Sequence, residues 1–280
     1  MAFGGESAES YYDEGLTAAM KGDVEQAIAL FKQAVQLDSS FLAAFHQLAR
    51  CYLRTGQSEK AAELLRRVLA INPRLVPPRV DLGFALLELG HAEEARKHFS
   101  DAIAIKENDA RAHLGLSQCA YDECQWDAAT ELARAAVNLG GANFAGLFLL
   151  GRAARLAGFL EDAAEALTRA DALLEKSIES SPEAPEAYYL RGEVCFVKED
   201  YTKALDFFRA AEDRAEPGRR YTSYGETFTR ADVLAKRGLC LQHLGRIENA
   251  RELGEQILLL DPNHRLGAAL ADLGKEGGEP

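Results

Sequence analysis

The sequence has no apolar run approaching the roughly 18 residues that a membrane span requires. Its first residues, Met-Ala-Phe-Gly-Gly-Glu-Ser, lack the basic start and apolar stretch of a secretory leader. The expectation is a cytoplasmic protein with no membrane insertion. Basic residues are in deficit, 32 Lys and Arg against 44 Asp and Glu, for a net charge of -12. A surface with that excess repels phosphate backbones and anionic lipid, so no nucleic-acid partner is expected. The five cysteines are odd in number and show no CxxC spacing, which argues against both a disulfide framework and a zinc site. Only eight prolines occur, and almost no stretch alternates β-branched with polar residues. The sequence also lacks GxSxG, HExxH, a P-loop and a GxGxxG following a strand. No catalytic residues and no cofactor are therefore expected. What remains is a chain of 280 residues, 48% hydrophobic, large enough to bury a sizeable core.

The sequence does contain a repeat. Ala27, Ala61, Ala95, Ala129 and Ala163 are spaced by 34 residues, and Ala204 and Ala250 follow at 41 and 46. Twelve residues before each alanine stand Gly15, Ala49, Gly83, Ser117, Gly151, Gly192 and Gly238, all small. Five residues before stand Gly22, Gly56, Gly90, Cys124, Gly158, Glu199 and Gly245. Two residues before, the side chain is acidic in all but one unit: Glu25, Glu59, Glu93, Asp127, Glu161 and Glu248, with Thr202 the exception. This spacing reads as a helical hairpin. A first helix of about 14 residues offers a small residue for close approach, and a glycine ends it in the left-handed conformation. The acidic residue complements the exposed amides of the second helix's first turn, and the alanine marks the crossing. One turn later comes a bulky residue in most units, Phe31, Leu65, Phe99, Leu167 and Phe208.

With these residues in view, the chain resembles the tetratricopeptide repeat (TPR) family. The period, the small residue, the turn glycine, the alanine and the terminal prolines in Asn72-Pro73 and Asp261-Pro262 all fit its pattern. The resemblance implies an all-α fold, a right-handed superhelix of seven hairpins with no independent second domain. The units are 8–41, 42–75, 76–109, 110–143, 144–177, 185–218 and 231–264, with insertions at 178–184 and 219–230. Residues 1–7 read as a flexible start, 265–273 as a capping helix over the last apolar face, and 274–280 as a flexible tail. The second helix of the fifth unit should run on toward Pro182. Departures from the pattern carry expectations of their own. Unit four puts Cys124 at the turn and Ala133 at the bulky position; unit seven puts Gly254 there, so its core should be looser.

Other candidate sites have plain structural readings. Cys51, Cys119 and Cys240 share one repeat position, which reads as a packing slot, though Cys119 and Cys124 could approach each other. His91 and His98 read as surface residues. The 219–230 insertion carries Arg219, Arg220, Tyr221, Tyr224, Phe228 and Arg230. The stripe Tyr224, Phe228, Ala231, Leu234 predicts a helical extension there, the alternative being a recognition loop.

The resemblance further implies that each unit's first helix lines a concave groove through its second, fifth, ninth, twelfth and thirteenth positions. Those positions here include Tyr12, His46, Arg50, Arg54, Phe84, Gln118, Tyr121, Phe148, Arg152, Arg155 and Tyr189, along with Leu53, Val80, Glu88, Leu114 and Phe196. Aromatics and arginines are enriched at interface anchors, and arginine forks suit carboxylates. The lysine, asparagine and arginine clamp of chaperone-tail receptors is missing. Its positions hold Tyr12, Leu16, Gln47, Pro77 and Asp81 in units one to three, and Leu114, Gln118, Leu149, Glu186 and Leu190 in units four to six. The expected function is a non-enzymatic scaffold or adaptor that holds a peptide or partner helix, with acidic residues, in that groove. The alternative is a homo-oligomeric scaffold that stacks end to end.

Overall fold

A computed structural model describes residues 7–140, 143–223 and 226–274. The chain divides into two compact units, residues 1–141 and 142–280. The first holds four helical hairpins: α1 (Ala8–Lys21) with α2 (Val24–Leu37), α3 (Leu42–Arg54) with α4 (Ser58–Ile71), α5 (Val76–Glu88) with α6 (Ala92–Ile105), and α7 (Ala110–Asp122) with α8 (Trp126–Asn138). The second holds α9 (Phe144–Ala157), α10 (Leu160–Ser180), α11 (Pro185–Val197), α12 (Tyr201–Arg214), strands β1 (Arg220–Ser223) and β2 (Glu226–Thr229), and α13 (Arg230–His243), α14 (Ile247–Leu260) and α15 (Arg265–Ala271). Ser7 caps α1, its side chain accepting from the Ser10 amide.

In four hairpins a glycine of the first helix faces the bulky residue of the second. A Cβ placed on Gly83 would sit 2.5 Å from the Phe99 ring, and one on Gly192 2.5 Å from the Phe208 ring. The alanines of the repeat, from Ala27 to Ala250, are all buried at the crossings. Each second helix then packs on the first helix of the next hairpin in its unit, so the apolar faces form a continuous core.

Two turns depart from glycine. Cys124 and Glu199 hold left-handed backbone, φ 60° and 61°, at the place where Gly158 takes 85°. That conformation costs a side-chain-bearing residue about 1–2 kcal/mol.

The last hairpin is not loosely packed, contrary to the expectation from Gly254. A Cβ on Gly254 would lie 2.3 Å from the Ala271 backbone nitrogen, so the missing side chain is the space in which α15 sits. Leu270 of α15 reaches the place next to Gly238 that the second helix fills in other hairpins, and it is 2% exposed. The capping helix thus supplies the bulky group that its own hairpin omits.

The 219–230 insertion is a β-hairpin, correcting the expected helical extension. Tyr221 pairs with Phe228 and Thr222 with Thr227 in antiparallel register. The alternation puts Tyr221 and Phe228 inward, both buried, and the threonines outward, joined by a 3.1 Å hydroxyl contact. Thr229 and Asp232 form a reciprocal capping box, which starts α13 at Arg230 and leaves Phe228 outside the helix. Tyr224 lies outside the described residues.

Two stability predictions follow from these packing features. Cys124→Gly relieves the left-handed strain and should raise the unfolding free energy by roughly 0.5–1 kcal/mol, read from the urea midpoint; an unchanged or lowered midpoint contradicts it. Leu270→Ala should cost about 2–4 kcal/mol, with faster amide exchange in α13 and α14. A cost under about 0.5 kcal/mol would show that Leu270 fills nothing.

Candidate functional site

In the first unit the leading helices α1, α3, α5 and α7 lie side by side. The residues of the first unit expected from the sequence to contact a partner lie on these helices. Between these helices lies a carboxylate, Asp81, only 2% exposed. His46 Nε2 lies 2.7 Å from its Oδ2, and Arg111 Nη2 donates to its Oδ1 at 2.5 Å. The three residues come from α5, α3 and α7 and stitch the hairpins together. Burial pushes the Asp81 carboxyl up, but the His46 hydrogen bond and the charge and hydrogen bond of Arg111 outweigh it and hold it below the ordinary 3.8. Arg111 remains 53% exposed, with its guanidinium 5.5 Å from the centre of the Phe84 ring. Its fork is therefore oriented by a buried carboxylate and an aromatic wall while facing solvent.

The neighbouring predicted residues separate into surface and filler. Arg50 and Arg54 are exposed; Arg50 donates to Gln47 at 3.3 Å and Arg54 to the Ala19 carbonyl at 3.4 Å. The acidic residues at the ends of α5 and α7 are exposed and hydrogen-bonded. Glu88 accepts from Ser58 and Asp122 accepts from Gln118. Tyr12 packs between Phe31 and Phe41, Phe84 meets the Phe99 ring edge-on, and Tyr121 meets Trp126 likewise. These three rings are half-buried and close gaps between helices.

In the second unit two predicted contact residues need correction. Phe148 and Tyr189 are 4% and 6% exposed, so neither ring is presented to a partner. Phe148 stacks on Phe144 with Arg152 over its face. Tyr189 is sandwiched toward Phe208 and Phe228, the latter stacked at 4.0 Å, so the β-hairpin covers that part of α11. Arg155 pairs with Glu199 at 2.6 Å. Lys236 pairs with Glu193 at 2.9 Å, tying α13 to α11, while Arg230 and Arg237 both pair with Glu212. Arg111 and Asp81 are absent from the sequence-predicted contact residues, yet Arg111 occupies the second, inward-facing position of its repeat. The hairpin contact of Phe228 has no comparable signal in the repeat pattern.

The cysteines and histidines refine the sequence reading. Cys51, Cys119, Cys195 and Cys240 are buried and free, and Cys124 is exposed. Burial pushes all four buried thiols up, Cys240 to about 12, which keeps them protonated and suits a packing role. His98 is not a surface residue: it is 19% exposed, and burial together with Arg79 lowers its pKa from 6.5. His91 is exposed at the start of α6. No group of three or more His, Cys, Asp or Glu among the described residues is placed to hold a metal ion. Among them, too, no helix is long and apolar enough to cross a membrane.

Three family models described as tetratricopeptide repeat match the chain. One covers residues 18–81, 59–119 and 86–147, a second 152–219 and a third 231–264. The chain is similar to tetratricopeptide repeat protein 6 of Homo sapiens, 24% identical over 192 residues, 68% of this chain and 35% of the human protein. It therefore spans about a third of that relative. It also resembles the uncharacterized protein MJ0572 of Methanocaldococcus jannaschii, 35% identical over 68 residues, 24% of this chain and 79% of that protein. Among solved structures, a tetratricopeptide repeat protein from Parabacteroides merdae superposes with a TM-score of 0.60 at 14% identity, covering 96% of this chain and 99% of that one. A chain of the APC/C hetero-tetramer Cut9–Hcn1 gives 0.61 at 19% identity, covering 89% of this chain and 46% of that one. At these identities the structures establish a shared all-α hairpin-repeat fold.

Asp81 generates a pH prediction. Its pKa is lower folded than unfolded, so its stabilising contribution is complete above about pH 5 and is lost as pH falls through 3.8 and below. Asp81→Asn should lower stability at neutral pH by about 1.5–3 kcal/mol and flatten the acid arm of the stability curve. An acid arm as steep as that of the wild type would show that Asp81 is not the titrating group.

Proposed function

Since the chain belongs to the tetratricopeptide repeat family and is a protein-interaction scaffold in that general sense, we propose that it is a non-enzymatic adaptor that captures an acidic segment of a partner protein. The segment, an extended peptide or a helix, lies along the inner face of the first unit. The observation that carries this reading is the charge arrangement on α3, α5 and α7. Arg50, Arg54 and Arg111 face solvent, while Asp81 is buried between His46 and Arg111, and Glu88 and Asp122 accept hydrogen bonds from Ser58 of α4 and Gln118. In a protein with a net charge of -12 this concentrates donor forks on one surface. Arginine forks pair two oxygens of a carboxylate at once, and a rigid backbone limits the entropy lost on binding. Arg152 and Arg155 extend the same chemistry to the second unit, where partners within the chain already engage them.

Charge reversal on the exposed pair tests the reading. Arg50→Glu with Arg54→Glu should weaken capture of the partner at least about tenfold, because each reversal replaces an attraction by a repulsion at the contact. Helicity and melting temperature should stay within error, since neither side chain is buried. Retention of the same partner at undiminished affinity would move the binding surface elsewhere.

A further inference from the structure

The turn between α11 and α12 carries an unusual residue for its backbone. Five of the seven hairpin turns use glycine at this place, at Gly22, Gly56, Gly90, Gly158 and Gly245. Here Glu199 takes φ 61° instead. Its carboxylate reaches back to α9, where Oε1 lies 2.6 Å from Arg155 Nη2, with the two side chains 60% and 31% exposed. An ion pair this open to water returns less than a left-handed backbone costs a non-glycine residue. Fold stability alone therefore favours glycine at this position, and the pair needs another explanation.

The surroundings give one. Arg155 lies on the groove-facing stripe of α9, one turn after Arg152. Tyr201, at the start of α12, feels both members of the pair. Its phenol is pushed up first by burial and then by the Glu199 charge, with Arg155 acting in the opposite sense. Tyr201 stacks on His243 at 4.2 Å, and Phe196 meets both rings edge-on, so the start of α12 is braced by an aromatic cluster that reaches α13. An arginine fork on a helix surface suits a carboxylate, and the carboxylate now paired with it belongs to the same chain. We infer that Arg155 is a second carboxylate-binding subsite which the chain keeps filled with its own Glu199, so that an acidic segment docking on α9 must displace that side chain. Glu199 then acts as a tethered competitor that raises the threshold for engaging the second unit. The inference rests on the reading of the protein as an acidic-segment adaptor.

Binding of fluorescein-labelled hexaglutamate at low ionic strength, followed by anisotropy, tests it. Glu199→Gln removes the competing charge and keeps the turn residue's shape; Glu199→Gly also relieves the backbone. Both should bind the peptide roughly 1.5- to 5-fold more tightly than the wild type, the range that an exposed ion pair can withhold. The gain should vanish when Arg155→Gln is added. Glu199→Gly should also melt about 1–3 °C higher than the wild type. Equal affinity of wild type and both Glu199 variants overturns the tethered competitor. If Arg50→Glu with Arg54→Glu still weakens the peptide in that case, the adaptor reading survives. A gain that persists without Arg155 also overturns the inference, since any lost negative charge would then do the same. Absence of peptide binding in every variant overturns both readings together.

Discussion

Close approach of a small residue to a bulky one is the contact on which the rest of the structure depends. Gly83 admits the Phe99 ring and Gly192 admits Phe208, at separations that leave no room for a Cβ. Phe99 also lies against Gly115 of the next hairpin, so the same contact joins neighbouring hairpins. Between the leading helices the interior also admits one carboxylate, Asp81, because His46 and Arg111 hydrogen-bond to it. The last hairpin makes the contact by another route. Where Gly254 removes the bulky group from α14, Leu270 returns one from α15.

The two units place their charged groups differently. On α3, α5 and α7 a buried carboxylate holds His46 and the water-exposed Arg111. On α9, α11 and α13 the charged groups are closed against one another, Arg155 on Glu199 and Lys236 on Glu193, and Tyr189 is covered by the β-hairpin. The repeat pattern gives every hairpin the same scaffold, and the two units differ in how their charged side chains are paired.

The hairpins were legible from the sequence because a 34-residue period samples the same physical constraints repeatedly: a small residue, a turn glycine, an acidic first turn, an alanine crossing. Features that occur once escaped that logic. The β-hairpin lies in an insertion, where Phe228 and Ala231 share a helical spacing by coincidence and the Thr229–Asp232 box marks the real helix start. Gly254 looked like a defect because the group that fills its space comes 16 residues later. Of the candidate contact residues, Arg50 and Arg54 are surface groups, whereas Phe148 and Tyr189 are core. Aromatic identity at an inward position does not distinguish a pocket wall from filler. The His46–Asp81–Arg111 network could not be read from one repeat, since its members come from three.

The most direct measurement of the central claim is site-specific photo-crosslinking in a lysate of the source organism. A benzophenone amino acid would replace Gln47 on the inner face of α3 or, in a second protein, exposed Glu63 on α4. The account predicts one discrete partner adduct from position 47, absent from position 63, with its crosslinked peptide rich in aspartate and glutamate. An adduct formed equally from position 63, or from position 63 alone, would contradict capture by the inner face.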